Sequence, residues 1–517
     1  MKIIPQPKKL EKLHGQFKIE QNDAIFCDGR FMMQAERFAA MVKRCAGITL
    51  TFTDEINAAK IIFSKDGKPE EHYLIMLSQG IATVKCGGKS GCFYAVETLR
   101  QLFCLDDEQK QLVCDDCYIE DAPKFRYRGL MLDICRHYFD LDTIKQVVEL
   151  MSQVKLNKLH LHLSDDQGFR IQIDKYPLLN QIGSVRYGSQ IISSDANLID
   201  DKLVQGYLTK DDIRTLVSYA QERGIEIIPE IDLPGHFAAA LAAYPQYCCT
   251  GQVAEVRRQW GTSKDILCAG SDEVYTFVCD ILDEVAPLFP SQYFHLGGDE
   301  VQKDRWCNCK LCLEKMSKLQ LNGFDELQTY MVEVFRKHLE QKGKTVICRN
   351  DGITQRTDKN IVMQVWKPHT AKQGAQQAND GRKVIMSPFF NMYFDYPYAR
   401  IPLGKTLRYN PARGVKKDNL DNVLGVEGCL WTEYVTNRDK LFFNLLPRID
   451  ALAECGWGYR GKNFNRRLKK RFNLYNGMGL LYNGKAHVGS GRNRGIVKKF
   501  FQKDADVEVN KYLDKHR

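Results

Sequence analysis

The chain has 517 residues, too many for one ordinary hydrophobic core, so its length predicts two domains or one large barrel with additions. Its composition, 44% hydrophobic and 27% charged, is that of a globular protein and excludes a disordered one. The formal net charge of +10, from 74 basic and 64 acidic residues, is modest at this length and does not require a nucleic-acid partner.

The cysteines and the N-terminal residues bear on the cellular compartment. The 18 cysteines have no evident pairing pattern, which favours a reducing compartment. The first residues lack the apolar core of a signal peptide, and no apolar run is long enough to span a membrane. We therefore expect a cytoplasmic protein with no membrane partner; the alternative is a secreted or periplasmic protein whose leader has been removed. Some cysteines lie in apolar, strand-like runs, where a thiol acts as a small hydrophobe: Cys135, Cys279, Cys348 and Cys429.

Residues 1–122 are predicted to form a small α/β domain that precedes a larger one. Residues 72–77 and 81–86 suggest a β-hairpin, and Gly91–Phe103 carries apolar residues at helical spacing. Further β-rich runs are Ala24–Cys27, Ile48–Thr53 and Lys60–Phe63.

Residues 86–91 contain a Gly-Lys-Ser sequence of the kind found in phosphate-binding loops. Such a loop needs a further glycine upstream, and Thr83 occupies that position. We therefore expect a plain turn here.

Residues 123–460 show strands that alternate with helices, which predicts a (β/α)8 barrel, an α/β fold. Thr209 and Asp212 open an amphipathic helix that ends at Gly224. The connection at 350–360 is short for a full crossover helix, so that unit is predicted to be degenerate. Strands are predicted at 129–135, 158–164, 226–232, 293–297, 345–349, 361–366, 383–388 and 424–431, and further helices near 140–155, 324–342 and 439–456.

The C-terminal residues 461–517 are predicted to form a basic, partly helical tail. Asn463–Leu474 is a helix candidate, and residues 483–517 carry nine Lys or Arg against four acidic residues. Only Phe500 and Phe501 are placed to interleave as stacking aromatics, so a solvated helix end is favoured over a nucleic-acid-binding tail. We expect no nucleic-acid partner, and the oligomeric state stays open.

In a (β/α)8 barrel the catalytic groups gather at the C-terminal ends of the strands. Polar and aromatic residues recur at the predicted strand ends. Each alone is compatible with a structural role, and their recurrence at one rim is what indicates a site. They are Arg136, His137, Asp165, Asp166, Glu230, Asp232, His236, Asp299, Glu300, Asn350, Asp351, Trp366, Tyr393, Asp395, Trp431 and Glu433.

The most informative stretch is Tyr293–Glu300, an apolar run that breaks at two glycines and ends in two adjacent carboxylates. Asp299 and Glu300 would repel each other unless each has its own partner, so their environments can push their pKa values apart. On its own the pair is also compatible with a solvated turn.

Carboxylates, an arginine, a tyrosine and two tryptophans suit a sugar pocket, because aromatic rings take the apolar face of a pyranose and charged groups take its hydroxyls. A competing hypothesis is a metal-dependent hydrolase in which His160, His162 and Asp165 hold a divalent ion. The two histidines alternate within a predicted strand, which favours a buried hydrogen-bonded pair. We assign no metal ligand and expect no cofactor. A non-catalytic sugar-binding protein is a further alternative.

Several ordered motifs make the chain similar to the family 20 glycoside hydrolases, the exo-acting β-N-acetylhexosaminidases. The resemblance covers about residues 125–460, and residues 1–122 resemble the family's accessory α/β domain more weakly. The motifs are Arg128–His137, Asn157–Arg170, Ile228–His236, His295–Glu300, Tyr393–Asp395 and Gly425–Glu433.

The resemblance implies a retaining mechanism in which the substrate itself assists. The 2-acetamido oxygen of the sugar would attack the anomeric carbon while Glu300 protonates the leaving oxygen and later deprotonates water. Asp299 would hold the acetamido N–H and stabilise the oxazolinium charge, and Tyr393 would hydrogen-bond the acetamido oxygen. The expected substrate is a glycan with a terminal β-linked N-acetylhexosamine, GlcNAc or GalNAc.

The same resemblance implies which residues hold the sugar and tune the acid. Asp165 and His236 would form a polar link to Glu300. The residues implied to bind sugar hydroxyls are Arg136, Asp395 and Glu433, and those implied to line the pocket are Trp366 and Trp431.

One departure from the family pattern concerns the fifth strand, at whose end a tryptophan is expected and Arg349 stands. An aromatic wall is therefore expected to be missing, which leaves the preferred sugar open. Two hypotheses follow: Arg349 pairs with Asp351 or another pocket acid, or it reaches the substrate and favours an anionic sugar.

A second unusual stretch follows the acid pair and contains a Cys-x-x-Cys spacing. Together with thiols elsewhere in the chain it could hold a structural zinc ion. No fourth ligand is identified from the sequence, so this hypothesis also stays open. The cysteines concerned are Cys307, Cys309 and Cys312, with Cys248, Cys249 and Cys268.

Overall fold

The structure is a computed structural model, and it describes residues 1–106, 111–459 and 463–486. The chain divides into two compact units. The domain boundaries predicted at residues 122 and 460 stay predictions. The first unit comprises Met1–Arg126, Leu150–Leu156 and Ala453–Leu474, and the second comprises Tyr127–Glu149, Asn157–Leu452 and the described residues from Tyr475 onward.

The first unit contains one mixed β-sheet with helices packed against it. Its strands are β1 (Lys9–Ile19), β2 (Ala24–Cys27), β3 (Thr51–Phe52), β4 (Ile61–Lys65), β5 (Tyr73–Ser78), β6 (Ile81–Cys86), β7 (Cys104–Asp106) and β8 (Gln111–Asp121). The sheet order is β1-β8-β5-β6-β4-β2-β3, with β7 beside β8. Two helices, α1 (Met32–Ala46) and α2 (Lys89–Leu102), bury apolar side chains against this sheet.

The predicted elements of this unit are confirmed in part. β5 and β6 form the predicted antiparallel hairpin, and α2 covers most of the predicted helix. The run at Ile48–Thr53 is a strand only at Thr51–Phe52, so that prediction was wrong for its other residues; β3 pairs with β2 over only two residue pairs. β1, β8 and α1 lie outside the predicted elements.

The Gly-Lys-Ser sequence lies where β6 meets α2, and close packing requires its glycines. A Cβ at Gly87 would overlap the carbonyl oxygen of Pro69, and one at Gly91 would overlap that of His72. Gly88 is the residue that precedes the first turn of α2. The expected turn is confirmed.

The second unit contains a closed barrel of parallel strands, which confirms the predicted fold class. Within residues 111–459 its eight strands run in the order β10-β17-β18-β19-β20-β21-β22-β9. All eight predicted strands are confirmed, with ends that differ by at most two residues. The strands of this unit are β9 (Tyr127–Asp133), β10 (Lys158–His162), β11 (Ser164–Asp165), β12 (Gly168–Phe169), β13 (Val185–Tyr187), β14 (Gln190–Ile192), β15 (Asp195–Ile199), β16 (Leu203–Gln205), β17 (Glu226–Glu230), β18 (Tyr293–His295), β19 (Thr345–Arg349), β20 (Val362–Val365), β21 (Val384–Met386) and β22 (Val423–Leu430).

Helices connect most of these strands. The later helices are α3 (Leu141–Gln153), α4 (Leu178–Gln181), α5 (Lys210–Gln221), α6 (Ala238–Ala243), α7 (Asp272–Val285), α8 (Asp304–Cys307), α9 (Lys310–Lys318), α10 (Phe324–Glu340), α11 (Ala371–Asn379), α12 (Phe389–Met392), α13 (Leu403–Leu407), α14 (Arg438–Leu445), α15 (Arg448–Trp457) and α16 (Phe464–Gly477). Short 3₁₀ turns lie at Gly29–Phe31, Ile56–Ala58, Pro245–Tyr247, Ala286–Leu288, Asn350–Gly352 and Lys417–Asn422.

Local sequence explains how several of these helices begin and end. The predicted capping box is confirmed at α5, where the backbone N–H of Asp212 donates to Thr209 and that of Thr209 donates to Asp212. The helix predicted near 439–456 is two helices, because Pro447 lacks an N–H and Leu446 before it is extended. Between β19 and β20 the described residues form only a 3₁₀ turn, so the predicted degenerate unit is confirmed.

The last described element is α16, which confirms the basic helix predicted at Asn463–Leu474. Of the predicted tail 461–517, residues 461–462 and 487–517 lie outside the described residues. Among the helices that the structure describes, none is both long enough and apolar enough to cross a lipid bilayer.

Candidate active site

The carboxyl ends of the parallel barrel strands meet at one rim, and the predicted site residues lie on the segments that leave it. Arg349 is the last residue of β19, and Trp366 and Trp431 follow β20 and β22 directly. Tyr393 lies after β21 and forms a backbone bridge to Cys429 of β22. The structure therefore brings to one rim residues that lie far apart in the sequence.

The turn after β18 sends two adjacent acids in different directions. Gly297 and Gly298 have φ values of 61° and 93°, and Glu300 has a φ of 51°. A Cβ at Gly297 would overlap the carboxylate of Asp232, which also accepts a 2.9 Å hydrogen bond from the Gly298 N–H. As a result Asp299 is buried, 6% exposed, whereas the side chain of Glu300 is 44% exposed.

Asp299 faces a buried cation. Nε of Arg349 donates to Oδ1 of Asp299 at 2.8 Å, and Nη2 donates to Oε1 of Glu230 at 2.7 Å. Burial alone would raise the pKa of Asp299, but the charges of Arg349 and His236 outweigh it and lower this pKa. Asp299 is therefore an anion at the base of the site.

The position of Arg349 bears on the two hypotheses left open from the sequence. Its guanidinium is fully buried and contacts Asp299 and Glu230, and its carbon lies 4.9 Å from the centre of the Trp431 ring. These contacts agree with the hypothesis that Arg349 pairs with acids of the pocket, but the acids are Asp299 and Glu230 and not Asp351. The guanidinium thus makes a cation–π contact with Trp431, one of the two tryptophans expected to line the pocket.

Asp232 completes the base of the site. It was named from the sequence among the rim residues, but no role was assigned to it. Burial and the neighbouring charge of Asp299 raise its pKa well above the ordinary value of an aspartate. Asp232 is therefore held neutral next to an ionised Asp299, so that the two carboxyl groups coexist without a second buried negative charge.

His236 lies between Asp165 and the exposed acid. Its Nδ1 is 3.1 Å from Oδ1 of Asp165, and its Nε2 is 3.6 Å from Oε2 of Glu300 and 3.9 Å from Oδ2 of Asp299. Burial alone would lower the pKa of His236, but the charge of Asp165, the hydrogen bond to Asp165 and the nearby carboxylates of Glu300 and Asp299 raise it well above its ordinary value. His236 is thus a cation that faces both acids of the pair.

Aromatic rings form one side of the site. The rings of Trp366 and Tyr393 are nearly parallel, with centroids 6.2 Å apart, and those of Tyr393 and Trp431 are 6.3 Å apart. Asp351 accepts a 2.9 Å hydrogen bond from Nε1 of Trp366 and another of 2.9 Å from the backbone N–H of Glu300. Asp351, which was named from the sequence as a partner for Arg349, instead joins the aromatic wall to the acid.

Arg136 is nearly buried and is held by acids. Its Nη1 lies 2.8 Å from Asp165, its Nε donates to Gln167 at 3.1 Å, and its guanidinium lies 4.8 Å from the Trp431 ring centre. Burial alone would lower its pKa, but the charges of Asp165, Asp133 and Glu433 raise it. Glu433 is thus close enough to Arg136 for its charge to act on the guanidinium.

Asp395, another predicted ligand of sugar hydroxyls, is 8% exposed on the segment after β21. Burial and the charges of Glu427 and Asp395 raise the pKa of the Cys429 thiol. Asp395 is therefore close enough to Cys429 of β22 to act on its thiol.

His160 and His162 form the buried hydrogen-bonded pair that the sequence favours. Nδ1 and Nε2 of His160 lie 3.1 Å from Glu427 and 3.0 Å from Glu230, respectively. His162 contacts Asp165 through Nε2 at 2.6 Å and Glu230 through Nδ1. Each ring nitrogen of the pair faces a carboxylate, so the two histidines belong to a buried network of polar groups inside the barrel.

Comparison with known proteins identifies the family. The model of the glycosyl hydrolase family 20 catalytic domain matches residues 125–459, and that of the family's domain 2 matches residues 1–122. A beta-hexosaminidase of Porphyromonas gingivalis is 34% identical over 497 residues, which are 90% of this chain and 62% of that relative's length. A beta-hexosaminidase of Vibrio furnissii is 30% identical over 88% of this chain and 76% of its own length.

Solved structures agree with the family models. The exo-β-N-acetylglucosaminidase of Vibrio harveyi in complex with N-acetylglucosamine has a TM-score of 0.83 and 27% identity, over 93% of this chain and 78% of its own. The β-N-acetylhexosaminidase of Bacteroides fragilis has a TM-score of 0.80 and 28% identity, over 93% of this chain and 96% of its own. These matches confirm the resemblance seen in the motifs: the chain belongs to glycosyl hydrolase family 20.

Proposed function

We propose that this protein is an exo-acting β-N-acetylhexosaminidase that removes terminal β-linked GlcNAc or GalNAc from glycans. The observation that carries the proposal is the divergence of Asp299 and Glu300, one buried and ionised and the other exposed beside an aromatic wall. The names of the relatives and the N-acetylglucosamine bound to the Vibrio harveyi enzyme support it.

The proposed mechanism is retaining and uses the substrate's own acetamido group as the nucleophile. Glu300 is the general acid that protonates the leaving oxygen, and its exposure lets both an aglycone and, later, a water molecule reach it. After the leaving group departs, Glu300 takes a proton from that water, which opens the oxazolinium ring and restores the β-anomer.

Asp299 and Tyr393 are proposed to act on the acetamido group. The ionised Asp299 accepts the acetamido N–H and stabilises the positive charge that develops on the ring. Tyr393 donates its hydroxyl to the acetamido oxygen and so orients it toward the anomeric carbon. Arg349 contributes by holding Asp299 in its ionised form and in a fixed position.

The remaining site residues are proposed to bind the sugar. Asp395 and Glu433 accept hydrogen bonds from its hydroxyls, and Arg136 donates to them. Trp366 and Trp431 take the apolar faces of the pyranose and of its acetamido methyl group. Asp165 holds His236, which in turn lies against Glu300.

The proposed mechanism requires an acetamido group on the substrate, and this requirement can be tested directly. The protein is assayed with the 4-nitrophenyl β-glycosides of GlcNAc, GalNAc and glucose, which differ in the group that has to act as nucleophile. We expect turnover of one or both acetamido substrates, no measurable turnover of the glucoside, and release of the β-anomer as the first product by NMR. A thiazoline analogue of the cyclised acetamide should inhibit tightly.

Two results would contradict the proposal at different levels. Trapping of a glycosyl ester on a carboxylate of the protein would show a protein nucleophile and rule out the substrate-assisted mechanism. Binding of GlcNAc without turnover of either acetamido substrate would instead support a non-catalytic sugar-binding protein.

A further inference from the structure

Four cysteine side chains converge outside the proposed active site. The Sγ atoms of Cys249, Cys268, Cys309 and Cys312 all lie within 4.8 Å of one another, and all four are free thiols. The Sγ–Sγ distances are 3.8 Å for Cys249–Cys312, 3.7 Å for Cys268–Cys309 and 3.8 Å for Cys268–Cys312. A tetrahedral ion with Zn–S bonds of about 2.3 Å requires sulfur–sulfur distances of about 3.8 Å, so the cluster already has the dimensions of a zinc site.

The backbone around these cysteines is built to hold them together. Cys309 is the N-cap residue of α9 and Cys312 lies in its first turn, so the Cys-x-x-Cys spacing places both thiols at one helix end. The other two thiols come from the loop after β17, where the N–H of Cys268 donates to the carbonyl of Tyr247 at 2.9 Å. This pairing brings the segments that carry Cys249 and Cys268 side by side.

Close packing joins the loop to the helix. A Cβ at Gly270 would overlap the backbone of Leu311 and Cys312, so only glycine allows the approach seen here. Nearby, Nε1 of the fully buried Trp306 donates to the carbonyl of Leu267 at 2.9 Å. The four thiols are therefore held by contacts that a random surface cluster would lack.

The electrostatics suit thiolate ligands. Four thiolates around Zn²⁺ leave a net charge of about −2, and the N-terminal end of α9 offers a compensating partial positive charge. Cys309 and Cys312 lie at this end of the helix, so the partial positive charge is next to two of the four ligands.

We propose that Cys249, Cys268, Cys309 and Cys312 bind one structural zinc ion as four thiolates. Binding releases the thiol protons to solvent, and no coordination position is left for water, so the site is closed and non-catalytic. The structure also selects among the cysteines considered from the sequence. Cys307 is exposed and outside the cluster, and the Cys248 thiol faces Thr250 and Asp265 instead.

The zinc ion would tie together two loops of the barrel rim. One is the loop after β17, which carries His236 and whose Ser263 N–H donates to Asp166 at 3.0 Å. The other is the segment after β18, which carries the acid pair and whose Gln302 donates to Thr262 of the first loop at 3.1 Å. The site thus supports the relative position of the two loops from outside the pocket.

The experiment measures metal content in the full-length protein. The wild-type chain is purified under reducing conditions without a metal-affinity step and analysed by inductively coupled plasma mass spectrometry. We expect about one zinc per chain in the wild type and in Cys307→Ser, and roughly a tenfold or larger drop in Cys309→Ser and Cys268→Ser. Cys307→Ser is the matched control because it lies two residues from a ligand and outside the cluster.

A second readout does not depend on the variants folding well. Exchange of the bound metal in the wild type for Co²⁺ should produce thiolate-to-cobalt charge-transfer absorption and the strong visible bands of a tetrahedral site. The proposal is overturned if the reduced wild type holds no stoichiometric zinc, if iron occupies the site instead, or if peptide mapping finds these four cysteines joined as disulfides. It is also overturned if Cys309→Ser retains zinc to the same extent as Cys307→Ser.

Discussion

Nε of Arg349 donates a 2.8 Å hydrogen bond to Oδ1 of Asp299, and the arginine is completely buried while it does so. The pair links the end of β19 to the turn after β18 and sets the charge of the acid that we propose acts on the acetamido group. We propose that a cation in this place acts on the substrate through Asp299. The predictions about charge in this site follow from that relationship.

Replacement of Arg349 by Met should raise the pKa of Asp299. The native pKa of this carboxyl is lowered, so the ionised form persists to lower pH than usual; without the guanidinium, Asp299 takes up a proton at a higher pH. We expect the acidic limb of the kcat/KM profile to move to higher pH. We also expect the variant to lose about 3–5 kcal/mol of stability, the usual cost of removing one partner of a buried ion pair.

The control for this variant is Arg356→Met, which removes an exposed arginine that bonds Glu326. It should leave the pH profile unchanged. Activity on GlcNAc and 6-sulfated GlcNAc glycosides is compared in parallel, and the ratio of the two kcat/KM values should be the same in wild type and Arg349→Met. A selective loss of activity on the sulfated substrate would restore the hypothesis that Arg349 favours anionic sugars.

Glu300→Gln should lower turnover by roughly 10²–10⁴-fold, the usual effect of losing a general acid and base. The loss should be smaller for a 4-nitrophenyl glycoside than for a glycoside with a poor leaving group, because a good leaving group needs less protonation. Glu314→Gln, which alters an exposed glutamate on α9, is the control. Equal losses with both leaving groups would mean that Glu300 is not the acid.

Tyr393→Phe should reduce kcat while KM changes little. The variant keeps the ring that packs near Trp366 and Trp431 but removes the hydroxyl proposed to orient the acetamido oxygen. A lost hydrogen bond to a group that becomes charged costs about 1.5–3 kcal/mol, or roughly ten- to a hundredfold in rate. Tyr187→Phe, at an exposed tyrosine, should have no effect. A rise in KM alone would indicate that the hydroxyl serves ground-state binding only.

The buried histidine His160 should make stability depend on pH. Burial alone would lower its pKa, but the charges of Glu427 and Glu230 raise it from 6.5 to about 9. The stabilisation from the protonated form is therefore fully present below pH 6.5 and is lost as the pH rises through about 9. At 1.36 kcal/mol per pKa unit, its loss amounts to about 3 kcal/mol of the free energy of unfolding.

The measurement is urea unfolding of wild type and His160→Gln between pH 6 and 10. The wild type should lose stability over this range, and the slope should be flatter in the variant, which has no titrating group at this position. His14→Gln, at an exposed histidine, is the control and should follow the wild type. Parallel slopes for wild type and His160→Gln would show that this imidazole is not charged in the folded protein.

The sequence alone was sufficient to determine the barrel and the identity of the residues at its rim. The eight barrel strands are short apolar runs with local turn signals, and side chains just beyond such runs must gather at one end of a parallel barrel. The capping box at Thr209 and the degenerate unit after Arg349 were equally local and were predicted correctly.

Features that depend on contacts between distant segments were decided only by the tertiary structure. β1 and β8 were not predicted, because their pairing joins distant segments: Lys9 of β1 lies opposite Glu120 of β8, and β8 also pairs with β5 and β7. The separate directions of Asp299 and Glu300 depend on Arg349 and on the packing of Gly297 against Asp232. No local pattern encodes such contacts, since they form only when the strands are already assembled.

The cysteine cluster shows most clearly which features the local sequence determines and which depend on tertiary contacts. The Cys-x-x-Cys spacing of Cys309 and Cys312 was visible in the sequence. Cys307 lies only two residues before Cys309, but its thiol is outside the cluster. Cys249 and Cys268 come from a different loop, and Cys249 lies 63 residues before Cys312 in the sequence. Which thiols meet is decided by the backbone approach at Gly270, because a sulfur–sulfur distance depends on how two loops pack and not on the residues within either one.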